Sequence, residues 1–288
     1  MVRKPGPAVK DHHLRSFSDD FAREGHPEPG RAYNRTVKLP FKLPELGLLG
    51  PRRAASLAVL GWWASIYTLV ALNIDGPWVR PFIGLATCYG LAFFAVASGW
   101  FWGRWFASGL GWSGVMIAIF AIVMTGWNPA LAWYGGLHGL IVVALMGKDM
   151  ATEFEGRQQW RERYQMGEPA AQRLGRAVTR AGASLPSLIL WALAPREEGA
   201  ALVVLGVAIV GTAALLRNRA WGALAVGAAG VAAVAMGGLV VPMLQGYWAA
   251  SYPTAMGIAG SAIALPGLLL LAFLPFAWPT LRFLAAKR

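Results

Sequence analysis

The sequence predicts an all-α, polytopic integral membrane protein with eight transmembrane helices, and three observations lead there. Of the 288 residues, 56% are hydrophobic and only 14% charged, with a mean hydropathy of +0.47. A soluble domain carries about 25% charged residues. Apolar stretches of about 20 residues, the length that crosses a bilayer core of about 30 Å, recur from Ala54 onward. When these are threaded through a bilayer, every Lys and Arg of the 26 except Arg80 and Arg196 falls on one side, as the positive-inside rule requires. Helices are expected because the bilayer offers no partner for a free N–H or C=O. A barrel would show alternation, and these segments do not alternate.

Residues 1–50 form a polar tail rich in Pro, Gly and charge, a composition that predicts disorder. Its end, from Leu39 to Leu49, mixes apolar and basic residues and is expected to lie on headgroups. Eleven Lys or Arg residues from Arg3 to Arg53 precede the first span and hold the N-terminus in the cytoplasm. No cleavable signal peptide is expected, because the first apolar stretch starts so late.

Spans are predicted at 54–74, 79–101, 105–126, 128–147, 180–195, 199–216, 221–243 and 257–281. Asn128-Pro129 supplies an N-cap and a first-turn proline for the fourth. Arg104, the basic loop after the fourth span, Arg217, Arg219 and the C-terminal Arg282, Lys287 and Arg288 all fall inside. Asp75, Arg80, Arg196, Glu197 and Glu198 fall outside, with an uncharged Leu244–Tyr252 connection expected on the outer headgroups. The fifth span is short and holds Pro186. If it lay on the surface there would be seven spans, and Arg217 and Arg219 would move outside against the charge rule.

The chain thus divides into the tail, helices one to four in 51–147, a basic loop in 148–182, and helices five to eight in 183–288. In the loop, Glu153 and Arg157 at i and i+4 suit a short helix. Ala170, Leu174, Val178 and Ala181 then share one face while Arg173, Arg176 and Arg180 lie elsewhere, predicting a basic amphipathic helix on the membrane surface. Arg80-Pro81 matches Pro195-Arg196, and Gly103-Arg104-Trp105 matches Arg217 to Trp221, which is compatible with a parallel 4+4 repeat. Gly222, Gly227, Gly230, Gly237 and Gly238 predict a central, closely packed seventh span. Trp62, Trp63, Trp100, Trp102 and Trp127 are expected at the membrane interface.

No Asp, Glu, Lys or Arg falls at the centre of a predicted span, which disfavours an ion-coupled carrier. His138 is the exception, about 15 Å into the fourth span. Tyr134 lies one turn away, and Gly135 and Gly139 suit close helix contact. Thr87, Cys88 and Tyr89 in the second span sit at similar depth. His138, Tyr134, Tyr89 and Thr87 are therefore the candidate substrate-binding or pathway residues. A neutral His bonded to a neighbouring helix is the structural alternative.

No catalytic residue, metal or cofactor is expected. One membrane histidine cannot supply a bis-His haem, and Cys88 alone makes neither a disulfide nor a Cys-based zinc site. Asp11, His12, His13, Asp19, Asp20 and His26 belong to the solvated tail, and Asp75, Glu197 and Glu198 to outer loops. No phosphate-binding loop, zinc-protease, nucleophile-elbow or dinucleotide motif is present. The net charge of +12 is read as cationic loops on anionic headgroups and not as nucleic-acid binding. The expected partners are the bilayer and other membrane protein subunits.

The leading expectation is a non-enzymatic subunit, or an assembly or scaffold component, of a complex in the cell inner (plasma) membrane, with both termini cytoplasmic. One alternative is a transporter or lipid-handling protein with a pathway between the halves near His138. Another is a membrane enzyme acting on a lipid-linked substrate.

Overall fold

Among the described residues the chain contains helices and no strand, the outcome expected when apolar segments must satisfy their own backbones. The computed structural model describes residues 50–156, 168–194, 199–217, 219 and 221–251. These form α1 (Pro51–Asn73), α2 (Val79–Ala97, entered through a 3-10 turn at Gly76–Trp78), α3 (Gly103–Thr125) and α4 (Pro129–Leu145), then α5 (Lys148–Glu155), α6 (Glu168–Leu193), α7 (Gly199–Leu216) and α8 (Trp221–Ser251). The tail, the loop stretch 157–167, residues 195–198 and the predicted span 257–281 lie outside the described residues.

Among the described residues four helices are long and apolar enough to cross a membrane: Pro51–Asn73, Gly76–Ala97, Gly103–Val123 and Gly199–Leu216. A fifth counts if α4 and α5, bent by 71° at their junction, form one broken span. The bend falls at Gly147, whose φ of 104° is a conformation that side chains with a Cβ resist. Leu72, Val123, Val203 and Val231 stand exposed on the outside of the bundle. A soluble protein scatters such residues, whereas a membrane helix presents them to lipid tails.

Helices α1 to α4 close a ring in which α1 packs on α2 and α4, and α3 packs on the same two. Helix α6 packs against α2 and α3, then against α7, which pairs with α8. Glycine sets the closest approaches. A Cβ on Gly109 of α3 would meet the backbone of Thr179 and Ala183 on α6, and a Cβ on Gly182 would lie 3.5 Å from the Gly109 Cα. Gly222 of α8 likewise faces the backbone of α7 at Gly211 and Leu215.

Five expectations need correction. The amphipathic stretch and the fifth predicted span are one continuous helix, α6, with Pro186 inside it. Its buried face, Ala171, Leu174, Ala177, Val178 and Ala181, belongs to the protein core, so it does not rest on a membrane surface, and Ala170 is exposed. Residues 181–189 of α6 are buried on every side, making α6 the most enclosed helix among the described residues. Full enclosure by protein lets it carry Ser184 and Ser187 at low hydropathy. The Gly-rich α8 is not central: Gly222, Gly227 and Gly230 lie on its buried side, but Trp221, Leu224, Val231 and Val234 face outward. Helix α8 also runs on to Ser251 through most of the predicted outer connection, since no charge interrupts it there. Among the tryptophans, Trp62, Trp100 and Trp127 are exposed, whereas Trp102 is buried and Trp63 turns inward.

Candidate functional site

Asn128 caps α4 as its sequence foretells: the side-chain oxygen accepts the Ala130 N–H at 2.8 Å, with Pro129 following. This fixed start aims His138 into the ring of four helices, where it is completely buried. Its Nδ1 lies 2.9 Å from the Tyr134 carbonyl and its Nε2 lies 2.8 Å from the Tyr89 hydroxyl. A carbonyl can only accept, so Nδ1 carries the proton and donates; Nε2 then accepts the Tyr89 O–H, which describes a neutral imidazole.

Aromatic rings enclose this pair. Trp63 of α1 stacks on His138 with centroids 4.8 Å apart, and Tyr134 lies 4.3 Å from the imidazole. Tyr67, one turn beyond Trp63, sits 5.3 Å from Tyr89. The fourth wall is Gly114 of α3, where any Cβ would overlap the His138 ring. Every helix of the ring therefore contributes to the His138 site. Gly135 allows the approach of α3 as well, since its Cβ would sit 2.7 Å from that of Ala118, while Gly139 would make only ordinary contact with Val115.

Of the four candidate residues, His138, Tyr134 and Tyr89 come together and Thr87 does not. Thr87 is exposed, and its hydroxyl donates to the Ile83 carbonyl of its own helix at 2.8 Å. Cys88 is buried and free. Trp63, expected from sequence at the membrane interface, joins this site instead, as do Tyr67 and Gly114, which the sequence reading does not single out. The signal for the first two was their i, i+4 spacing on one face of α1.

A second polar assembly lies at the end of the ring where α1 and α3 begin and α2 and α4 finish. Arg53 is buried, and its Nε and one amine donate to the Val96 and Ala97 carbonyls at the end of α2, at 3.1 and 2.8 Å. Its other amine pairs with Glu153 at 2.7 Å, and its guanidinium lies 5.4 Å from the Phe154 ring centre. Arg52 donates to the Val143 and Met146 carbonyls that end α4. Arg104 donates to the Leu145 carbonyl at 3.3 Å and pairs with Glu155, which also accepts the Trp105 indole N–H at 2.8 Å. Cations at helix C-termini satisfy orphan carbonyls and oppose the helix dipole. Glu153 pairs with Arg53, and Arg157, its expected i+4 partner, lies outside the described residues.

Chemically, the first assembly is a closed hydrogen-bonded core and the second a charged latch that holds α5 under the ring. Among the described residues no cluster of His, Cys, Asp or Glu is arranged to hold a metal. No protein-family model, curated protein or solved structure matches this chain.

Proposed function

We propose that the chain is a non-enzymatic membrane protein that serves as a subunit, or an assembly or scaffold component, of a larger membrane complex. In this reading it crosses the membrane eight times, the last time through 257–281, and keeps both termini and its arginine-rich end on the cytoplasmic side of a bacterial-type inner membrane. The observation that carries the reading is the state of His138. This imidazole, deep in the ring, has both nitrogens used by the protein itself and no exposed surface, which leaves it nothing to offer a substrate or a proton. The bonding of Arg52, Arg53 and Arg104 to the ends of α2 and α4 supports one common charged face. Purification of the full-length protein in gentle detergent, with mass spectrometry and native sizing, tests the role. The expected result is a defined set of co-purifying membrane proteins; a solitary monomer or homo-oligomer would refute it.

A second reading, a transporter or lipid-handling protein with a pathway at His138, is favoured by one observation. The Trp63 ring stacks on His138 while its indole N–H is buried and, among the described residues, has no hydrogen-bond partner, and an unmet buried donor is a place for a ligand oxygen. A solitary particle in the purification would shift the weight here.

A further inference from the structure

At the arginine-rich end, a cavity of about 420 Å³ opens between α3, the α4–α5 junction and α6. Its lining changes character along its length. Arg104, Arg176 and Arg180 contribute three guanidinium groups and Glu155 one carboxylate, and Trp112 and Val142 form an apolar wall. Along α3, Trp112 is two turns deeper than Arg104, about 12 Å by helical rise.

The charges do not cancel. Glu155 is already engaged by Arg104 and the Trp105 indole. Arg176 is exposed, and its Nε donates to the Gln172 carbonyl of its own helix at 3.4 Å. Among the described residues it has no ion pair. The cavity therefore has an exposed arginine with no ion pair among the described residues, Arg176, at its outer end and an apolar wall within. Trp112 is 43% exposed, so the apolar end opens sideways on the surface that would face lipid. A soluble anion would have no use for the apolar wall, and a hydrocarbon chain alone would have no use for the arginines.

We propose that this cavity binds an anionic phospholipid, with its phosphate at Arg176 and its first acyl segments along Trp112 and Val142. Basic pockets between membrane helices suit such headgroups, and the volume is in the usual range for a small-ligand site. The proposal rests on membrane embedding and is independent of the subunit role, because it concerns the isolated chain.

The test uses full-length protein in a neutral detergent, titrated with phosphatidylglycerol, phosphatidylcholine or inorganic phosphate. Bound lipid is read by native mass spectrometry, and protection by melting temperature. Arg176→Gln is compared with Arg173→Gln, an equal charge change on an exposed residue of the same helix outside the cavity lining. Phosphatidylglycerol should bind and raise the melting temperature of the wild type and of Arg173→Gln. Arg176→Gln should weaken that binding about fivefold, the value of one arginine at a lipid surface. Equal binding of phosphatidylcholine, equal loss in Arg173→Gln, or no loss in Arg176→Gln would each overturn the site. If inorganic phosphate reproduced the whole protection, the ligand would be a soluble anion and the lipid assignment would fall.

Discussion

His138 has two ring nitrogens, and both are spent inside the protein, on the Tyr134 carbonyl and the Tyr89 hydroxyl. Removing either partner would leave a buried polar atom unpaired, at a cost of about 1–3 kcal/mol. We therefore expect His138→Ala to lower stability by about 2–4 kcal/mol, because a cavity is added to the lost bond. Tyr89→Phe should cost less, and the two should be coupled by about 1 kcal/mol in a double-mutant cycle of melting in detergent. Additive effects would mean that the bond contributes nothing, and an unchanged His138→Ala would return the residue to the pathway reading. His138, Tyr134 and Tyr89 were legible in the sequence because ionisable and phenolic groups at mid-membrane depth are rare. Thr87 shows the limit of that argument, since depth fixes a position along the helix but not the direction in which it faces. Trp63 was misjudged because tryptophan generally prefers interfaces, and only the stacked His138 reveals why this one does not. The role of Gly114 had no sequence signal, since a glycine shows its purpose only when its neighbour is known.

Helix α5 is held by ion pairs that reach far along the chain, Arg53 to Glu153 and Arg104 to Glu155. Its own apolar contribution is small, with Met150 and Phe154 buried, and an isolated helix of that length is unstable in water. Docking therefore depends on the two carboxylates. In Glu153→Gln/Glu155→Gln, the amides of Lys148–Glu155 should exchange hydrogen at least about tenfold faster while those of α4 stay protected, since local opening follows the local free energy. Unchanged protection in α5 would show that Met150 and Phe154 suffice. The existence of the helices was readable from hydropathy because each apolar run has one available solution in lipid. Their contacts were less readable. The sequence suggests Glu153 with Arg157, four residues on, which lies outside the described residues; the partner it could not suggest is Arg53, from the start of α1. Helix α6 was divided in two because its charged and apolar halves differ, although one helix serves both when its centre is enclosed by protein.

Over the whole molecule, the clustering of helix ends around Arg52, Arg53 and Arg104 gives the ring a strongly charged, arginine-rich end, while the opposite end carries Asp75 and Arg80 among the described residues. Trp127, exposed and one residue before the α4 cap, marks that opposite end. Asp149, exposed in α5, marks the charged end. This polarity makes topology measurable with a single reactive thiol. The native Cys88 is buried, so the wild type should stay unlabelled by an impermeant maleimide and provide a blank background. In intact cells Trp127→Cys should label and Asp149→Cys should not; in inverted vesicles the pattern should reverse. This follows because basic residues are retained on the cytoplasmic side. Lys287→Cys extends the test to the count of spans. An even number beyond the N-terminus returns the chain to the side it left, so Lys287→Cys should label together with Asp149→Cys if there are eight spans. Labelling with Trp127→Cys instead would mean seven, and would put Arg282, Lys287 and Arg288 outside against the charge rule. If α6 did not cross, Arg217→Cys would label from outside as well, which separates a failure at α6 from one at the last span.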